Sequence, residues 1–351
     1  MRDNFNKIID EDLAYIMKAD LPWHELEGKN ILIAGANGAL PAYMVETILY
    51  LNKNLLKNKA KIFALVRNIE KAQKKFGRHK DDKNLEFVIQ DVCDKINLSN
   101  DLDYIIHAAS QASPKYYGSD PVGTLLPNVL GTYNLLELAR EKSLKGFIFF
   151  SSGAVYGPIG DNQQANNEKK FGILDPFTIE SCYPESKRMG ENMCQAWLSQ
   201  YKIPIKVVRP FHTYGPGVGL NDGRVFADFV RNIVNNEDIT MNSDGSAKRT
   251  FCYLADAAIA FFTVLLKGNI GEAYNVSGDK LVSISELAGT LVNMFPEKNL
   301  KIKRNEILDK NYLKTAASGH LPDISKIVGL GWKPVYSIEE GFRRMIKSFE
   351  Q

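Results

Sequence analysis

The sequence has few cysteines, almost no net charge and no long apolar run. Four of its 351 residues are cysteine, none forms a CxxC pair, and no histidine stands at zinc-ligand spacing from them. This pattern argues against a disulfide scaffold or a structural zinc site, and it favours a reducing compartment. We therefore expect no metal site.

The near balance of charge bears on possible partners. The 44 Lys and Arg residues oppose 41 Asp and Glu residues, so the formal net charge is only +3. A chain without a strong overall field has no general attraction for nucleic acid or for a membrane surface. The first residues include acids and lack the apolar core of a signal peptide, and no stretch approaches the length of a membrane span. We expect a cytoplasmic protein with neither kind of partner.

Short apolar runs alternate with helical patterns along the first two thirds of the chain. This spacing indicates βαβ units, and continuous apolar runs are typical of buried parallel strands. The sequence thus predicts an α/β fold, a Rossmann doubly wound parallel sheet with a smaller C-terminal α/β substrate lobe. The predicted strands are 31–34, 61–66, 84–91, 103–109, 146–152 and 205–210, and further helices are expected near 223–235, 254–267, 283–295 and 337–350.

A glycine loop follows the first strand. In Gly35-Ala-Asn-Gly38-Ala-Leu-Pro41, the first glycine permits a tight turn and Gly38 lets the backbone approach a pyrophosphate at a helix N-terminus. Pro41 stands where a third glycine is common, and proline is tolerated in a first helical turn. The loop predicts dinucleotide binding.

The next two strand ends bear on which dinucleotide binds. Arg67 follows the second strand, where a carboxylate would hold the ribose 2′-hydroxyl of NAD. An arginine there can accommodate the 2′-phosphate of NADP or stack on adenine. Asp91, which ends the third strand, is placed to accept a hydrogen bond from the adenine amino group. The residues leave NAD and NADP both open.

Tyr183 and Lys187 form a YxxxK pair that shares one helix face. The lysine can lower the pKa of the phenol and hold a cofactor ribose, so that the tyrosine acts as a base near neutrality. Ser151 and Ser152 end an apolar strand about thirty residues upstream, at the edge where ligands bind. With the glycine loop before both, this order predicts a hydride-transfer site.

These motifs resemble the extended short-chain dehydrogenase/reductases, specifically the nucleotide-sugar epimerase/dehydratase family, from about Lys29 to the C-terminus. Three segments, HAASQASP, SCYPESKR and NDGRV, are particularly similar to UDP-glucuronate decarboxylases. The matching segments are GANGALP (35–41), DV (91–92), HAASQASP (107–114), NVLGTYNLLELA (128–139), SSGAVYG (151–157), SCYPESKR (181–188), RPFHTYGPG (209–217), NDGRV (221–225), RTFCYLAD (249–256) and PDISKIVGLGWKP (322–334).

The resemblance implies a site with NAD as cofactor and a nucleotide sugar as substrate, in which Ser152, Tyr183 and Lys187 are catalytic. Arg249 would grip the diphosphate and Arg224 would lie near the nucleotide. The predicted cofactor residues are Gly35, Asn37, Gly38, Ala39, Leu40, Arg67, Asp91, Val92, Ala108, Ala109, Ser110, Asn128, Ser151, Tyr183, Lys187 and Pro210. The predicted substrate residues are Gln111, Ser152, Gly153, Ala154, His212, Arg224, Val225 and Arg249.

The departures from the family pattern bear on the reaction. The dehydratases carry an Asp-Glu pair and the decarboxylases a Ser-Glu pair where this chain has Gly153 and Ala154, which cannot exchange protons through their side chains. A C4 epimerase needs only Ser152, Tyr183, Lys187 and the cofactor. We therefore favour a 4-epimerase that works through a 4-keto intermediate. The alternatives are a C4 dehydrogenase or ketoreductase, a UDP-uronate decarboxylase or dehydratase-like enzyme, and a dinucleotide-binding protein without activity.

His212 replaces the family's usual asparagine, and it could contact the substrate, titrate in catalysis or simply pack. The predicted organisation is an N-terminal helical extension (1–28), a dinucleotide-binding domain (29–210) and a mainly nucleotide-sugar-binding lobe (211–351). The family implies a homodimer, commonly through a four-helix bundle, here formed by helices near 118–141 and 184–201. The extension could join that interface or cover the site.

Overall fold

The computed structural model describes residues 6–158, 167–304 and 321–350. Residues 1–5 of the predicted extension, and 305–320 and 351 of the predicted C-terminal lobe, lie outside that range. The strands are β1 (Asn30–Ala34), β2 (Lys61–Val66), β3 (Leu85–Ile89), β4 (Tyr104–His107), β5 (Gly146–Phe150), β6 (Ile205–Pro210), β7 (His212–Tyr214), β8 (Ile239–Met241), β9 (Lys248–Arg249), β10 (Phe251–Tyr253), β11 (Ala273–Val276), β12 (Val282–Ser283) and β13 (Ile302–Arg304).

Helices connect these strands. They are α1 (Lys7–Met17), α2 (Ala39–Asn54), α3 (Ile69–Lys75), α4 (Lys115–Ser119), α5 (Pro121–Arg140), α6 (Cys182–Tyr201), α7 (Val225–Val234), α8 (Leu254–Lys267), α9 (Ile284–Asn293), α10 (Ser325–Val328) and α11 (Ile338–Lys347). A short 3₁₀ turn, Gly153–Tyr156, follows β5.

Seven strands form one parallel sheet in the order β3-β2-β1-β4-β5-β6-β11. The order reverses between β1 and β4, which creates the crevice where ligands bind in doubly wound sheets. The predicted Rossmann fold is thus confirmed. The seventh strand, β11, was missing from the sequence prediction; it is only four residues long and lies beyond the irregular stretch after β7.

Side chains of each central strand alternate between two apolar cores, as the pleat requires. Ile31 and Ile33 of β1 face the core shared with α2 and α8, whereas Leu32 and Ala34 face the core shared with α5 and α6. Three two-stranded sheets, β7 with β10, β8 with β13 and β9 with β12, belong to the C-terminal part of the chain. Helices therefore cover both faces of the sheet, and the carboxyl ends of its strands are available to form a binding site.

The N-terminal helix α1 packs against α2 and α8. Its buried Asp12 accepts hydrogen bonds from Tyr43 on α2 (2.9 Å), from Tyr253 on β10 (2.7 Å) and from the Arg344 guanidinium on α11 (2.7 Å to Nη2). One carboxylate thereby joins four elements that are far apart in sequence. The extension therefore acts as a strap, a segment whose Asp12 ties α1 to α2, β10 and α11, which the sequence did not indicate.

In the part of the chain that the structure describes, no helix combines the length and apolarity needed to cross a membrane. Within the same ranges, no group of three or more His, Cys, Asp or Glu side chains could hold a metal ion.

Replacing the carboxylate of Asp12 tests the strap. Asp12→Ala removes the acceptor of two buried phenols and the buried partner of Arg344, so the free energy of unfolding should fall by about 3 kcal/mol in urea titrations. Glu11→Ala is the matched control: Glu11 also pairs with Arg344 (3.0 Å) but is largely exposed, so its loss should cost less than about 1 kcal/mol. If the two substitutions lowered the free energy of unfolding by the same amount, the role of Asp12 in the strap would be contradicted.

Candidate active site

The glycine loop between β1 and α2 lies against the loop that follows β4. Gly35 has φ +77°, and a Cβ built on it would lie 2.6 Å from the Cα of Ala109. Helix α2 begins at Ala39 and Leu40, with Gly38 as its N-cap and no side chain bonding its first amides. Free amides at the N-terminus of a sixteen-residue helix suit an anionic group such as a pyrophosphate.

Four buried polar atoms, on the glycine loop, after β4, on α5 and after β5, have no hydrogen-bond partner among the described residues. They are Asn37 Oδ1, Ser110 Oγ, Asn128 Oδ1 and Ser151 Oγ. Buried polar atoms in folded proteins are nearly always paired. Because β1, β4 and β5 are neighbours whose carboxyl ends lie at one edge of the sheet, these atoms mark a place for a polar ligand, and all four belong to residues that the sequence predicted to surround the cofactor.

Arg67 and Asp91 meet at the far end of the same crevice. Arg67 Nη1 lies 3.4 Å from Asp91 Oδ2, and Asp91 Oδ1 accepts a hydrogen bond from the Cys93 amide (2.9 Å). Desolvation opposes ionisation of Asp91, but the Cys93 amide and Arg67 prevail and hold its pKa below the usual value. The contact of Asp91 with adenine stays a prediction, since each carboxylate oxygen has a second lone pair.

The remaining predicted cofactor residues lie at strand ends near the crevice. Val92 is buried one residue after Asp91, Ala108 and Ala109 follow β4, and Pro210 is the last residue of β6. Asn128 lies on α5 and donates through Nδ2 to Ser186 Oγ at 3.0 Å, which ties α5 to the helix that carries Tyr183.

The predicted catalytic side chains come together at the end of β5. Ser152 precedes the 3₁₀ turn and its Oγ accepts from the Ala154 amide (3.1 Å), while its hydroxyl acts to lower the pKa of the Tyr183 phenol. Lys187 lies one helical turn after Tyr183, and its Nζ donates to the Phe150 carbonyl at 2.6 Å. Burial lowers the pKa of Lys187 to about 7, although the charge of Glu191 opposes the shift.

The expectation that Lys187 lowers the pKa of Tyr183 is not met by this arrangement. Burial of the phenol dominates and raises its pKa, and the groups that oppose the rise are Ser152, Arg224 and Ser110. The ammonium of Lys187 is directed at the Phe150 carbonyl and lies 5.9 Å from the centre of the Tyr183 ring. The sequence placed Tyr183 and Lys187 on one helix face, but it did not show that the Lys187 ammonium donates to the Phe150 carbonyl.

Sequence reasoning missed Tyr117, whose ring stacks on Tyr183. The two ring centres are 5.0 Å apart and the planes differ by 13°. Tyr117 is itself fixed by a hydrogen bond from its hydroxyl to the Ala112 carbonyl at 3.1 Å. The sequence offers only two adjacent tyrosines at 116 and 117 as a signal, which is too weak to identify a site residue.

On the substrate side, the structure brings His212 close to Arg224 and Arg249. Arg224 pairs with Asp222 through both Nε and Nη2, and Arg249 Nη1 donates to the Lys248 carbonyl at 2.9 Å. Burial, reinforced by the two arginines, lowers the pKa of His212 to about 3. His212 is therefore neutral at physiological pH, and the possibility that it titrates in catalysis is not supported.

Gly153 lies where an aromatic ring takes the space of a side chain. A Cβ built on Gly153 would lie 2.6 Å from the ring of Phe211, which follows β6. Ala154 is next in the same turn. The structure therefore gives a steric reason for glycine at the position where dehydratases and decarboxylases carry the first residue of their proton-transfer pair.

The other two predicted substrate residues, Val225 and Gln111, are associated with the starts of helices α7 and α5. Val225 is the first residue of α7. Gln111 donates through Nε2 to Asp120 Oδ2 at 3.0 Å, and Asp120 in turn caps α5. The amide nitrogen of Gln111 is thus engaged with the start of α5, and its predicted contact with substrate has no support from this geometry.

Comparison with known proteins gives a consistent result. The model of the NAD dependent epimerase/dehydratase family matches residues 31–277. Among curated proteins, UDP-glucuronic acid decarboxylase 1 from Danio rerio is 30% identical over 329 residues, which cover 93% of this chain and 74% of the relative. UDP-glucuronic acid decarboxylase 3 from Arabidopsis thaliana is 30% identical over 321 residues, which cover 91% of this chain and 88% of the relative.

A solved structure with a similar fold is UDP-glucose 4-epimerase with UDP-glucose from Thermotoga maritima. It has a TM-score of 0.77 at 22% identity and covers 92% of this chain and 98% of its own. UDP-glucuronic acid 4-epimerase from Bacillus cereus, in complex with UDP-glucuronic acid and NAD, has a TM-score of 0.74 at 22% identity. The match covers 92% of this chain and 99% of that structure's chain.

The family's cofactor, NAD, fits the residues described above. The α2 amides and Gly35 would hold the pyrophosphate. The unpartnered oxygens of Asn37, Ser110, Asn128 and Ser151 supply acceptors or hydroxyl groups along the crevice.

Gly35→Ala tests whether the close approach at the loop is needed for NAD. The added Cβ would collide with the backbone of Ala109 in a left-handed conformation, so NAD affinity measured by calorimetry should fall by more than about tenfold. Gly289→Ala is the control, because Gly289 lies in α9 with no atom near its built Cβ. This control should bind NAD normally and gain about 0.5–1 kcal/mol of stability; normal NAD binding by Gly35→Ala would refute the assignment.

Proposed function

The chain belongs to the NAD dependent epimerase/dehydratase family, and we propose that it is a nucleotide-sugar 4-epimerase working through a transient 4-keto sugar. Ser152, Tyr183 and Lys187 would form the reaction centre. The observation that carries this choice is the pairing of Gly153 with Phe211, which leaves no acid or base beside Ser152 at the first of the two departures from the family pattern.

In the proposed reaction, the phenolate form of Tyr183 takes the proton from the sugar O4 as the C4–H bond breaks; Ser152, Arg224 and the positive charge of the NAD nicotinamide would favour that form against the effect of burial. NAD, held by the α2 amides and Gly35, would supply the hydride acceptor and donor for C4, and inversion would follow from return of the hydride to the opposite face of the 4-keto sugar. Tyr183 then gives the proton back to O4, so the product differs from the substrate only in its configuration at C4. Ser152 would hold O4 beside the phenol, because its hydroxyl is near enough to Tyr183 to oppose the rise in the pKa of the phenol.

The nucleotide diphosphate would bind at the cluster of Arg224, Arg249 and His212. Two guanidinium groups suit a diphosphate because they donate several hydrogen bonds to its oxygens, and Arg224 would do so through Nη1, since its Nε and Nη2 pair with Asp222. The low pKa of His212 keeps it neutral there, so it would donate or accept a hydrogen bond without adding charge.

A second candidate is a UDP-uronate decarboxylase, favoured by the 30% identity to proteins of that name. Loss of carbon dioxide from a 4-keto uronate leaves a carbanion at C5, which must be protonated before the C4 carbonyl is reduced. Gly153 and Ala154 offer no side-chain proton donor for that step. A C4 dehydrogenase or ketoreductase would instead release its oxidised or reduced product, together with a changed cofactor.

Product analysis with Tyr183→Phe tests the proposed reaction. Holoprotein incubated with UDP-glucose or UDP-glucuronic acid should interconvert C4 epimers without added cofactor, and Tyr183→Phe should lower the rate by about 10²-fold or more. Tyr201→Phe, which removes an exposed hydroxyl from the same helix, should leave the rate unchanged. Accumulation of NADH in stoichiometric amounts would instead support the dehydrogenase, and carbon dioxide release the decarboxylase.

We also propose that the protein is a homodimer joined through α5 and α6. These helices pack together and expose an apolar stripe at helical spacing on α5, continued by Met189 on α6. Large exposed apolar patches mark interaction sites in soluble proteins. The stripe consists of Val122, Leu126, Leu130 and Tyr133, each between 37% and 63% exposed.

Leu130→Asp tests the dimer. A carboxylate in the centre of an apolar interface would lose its hydration, so the variant should sediment as a monomer at concentrations where the wild type is dimeric. Val335→Asp, at a more exposed apolar residue away from α5 and α6, should not change the sedimentation. A wild type that is monomeric at micromolar concentration would overturn this proposal.

A further inference from the structure

Two charged side chains join the helix that bears Tyr183 and Lys187 to the neighbouring strand. Arg209 on β6 donates through Nε to Glu191 Oε1 (2.8 Å) and through Nη2 to Glu191 Oε2 (2.6 Å). The side chains are only 4% and 14% exposed. A two-point ion pair with so little solvent is a rigid connection, because both planar groups have one preferred alignment.

The same arginine reaches the turn that follows Ser152. Arg209 Nη1 donates to the Tyr156 hydroxyl (2.9 Å), and that hydroxyl donates to Asn275 Oδ1 on β11 (2.6 Å). Tyr156 is the last residue of the 3₁₀ turn Gly153–Tyr156, which begins directly after Ser152. Arg209 thus contacts both the helix of Tyr183 and the turn of Ser152.

Glu191 also lies on the face of α6 that the catalytic side chains share. Tyr183, Lys187 and Glu191 follow at intervals of four residues, so each is one turn from the next. The ionisable groups that face Lys187 are Tyr183, Glu191 and Cys194 on α6, His107 on β4 and, behind Glu191, Arg209 on β6. His107 is neutral, since burial and then Lys187 lower its pKa to about 3.

We propose that Glu191 and Arg209 are positioning residues for the reaction: their ion pair fixes α6 against the turn of Ser152 and sets the charge state of the Lys187 ammonium. This extends the proposed function, because it assumes that Lys187 acts on bound cofactor. Glu191 stabilises the ammonium and Arg209 limits that effect by neutralising Glu191. The two residues therefore act on Lys187 in opposite directions, although they form one pair.

Because Glu191 and Arg209 affect the protonation of Lys187 in opposite directions, an experiment can distinguish this role from a purely structural one. NADH binding is followed by fluorescence from pH 5.5 to 9.5, with affinity expected to fall as Lys187 loses its proton. Glu191→Gln should move the midpoint of that fall to lower pH by about one unit, and Arg209→Gln should move it to higher pH by a similar amount. Tyr156→Phe breaks the same network without changing a charge, so its midpoint should stay at the wild-type value.

Glu137→Gln provides the control for losing a carboxylate, since Glu137 pairs with Arg140 on α5 (2.9 Å) and is not among the groups that face Lys187. Thermal unfolding identifies any variant that fails to fold, and Arg209→Lys then replaces Arg209→Gln, with the wild-type midpoint expected. Equal midpoints for Glu191→Gln and wild type, or shifts of the same sign for Glu191→Gln and Arg209→Gln, would overturn the proposal. NADH binding needs no sugar substrate, so this result is independent of whether epimerisation is found.

Discussion

The hydrogen bond from the Lys187 ammonium to the Phe150 carbonyl is the contact on which the site depends. Lys187 is only 2% exposed, and burying a cation is unfavourable unless it is well bonded. The carbonyl ends β5, and the aromatic rings of Phe149 and Tyr183 lie 5.1 Å and 5.9 Å from the ammonium. These contacts hold α6 against the sheet at one register, and therefore fix Tyr183 beside Ser152.

On the substrate side, the important feature is the absence of a side chain at Gly153. Because the Phe211 ring occupies the space next to Gly153, a side chain at position 153 would require that ring to move. The chain thus keeps the hydride-transfer residues that the family resemblance implies while the position of a further acid is filled by an apolar ring. This combination favours chemistry confined to C4 and its oxygen.

The features that local sequence determines were predicted well. Apolar runs located six of the seven strands of the main sheet, and the glycine loop and the YxxxK spacing located the residues that converge at its strand ends. Their signals survive in a single sequence because each depends on neighbours within a few residues.

Features set by tertiary packing were not predictable in the same way. The stacking of Tyr117 on Tyr183, the Phe211 ring beside Gly153 and the destination of helix α1 each depend on residues distant in sequence. The pKa of Tyr183 was expected to fall and instead rises, because the extent of burial cannot be read from the spacing of two residues.

The mass of the product formed in heavy water tests the central claim most directly. An epimerase returns the same hydride to C4 and never breaks the C5–H bond, so the isolated sugar nucleotide should contain no carbon-bound deuterium. Decarboxylation or dehydration would place a solvent deuteron at C5. A product one mass unit heavier, with the label at C5, would contradict the assignment of a 4-epimerase.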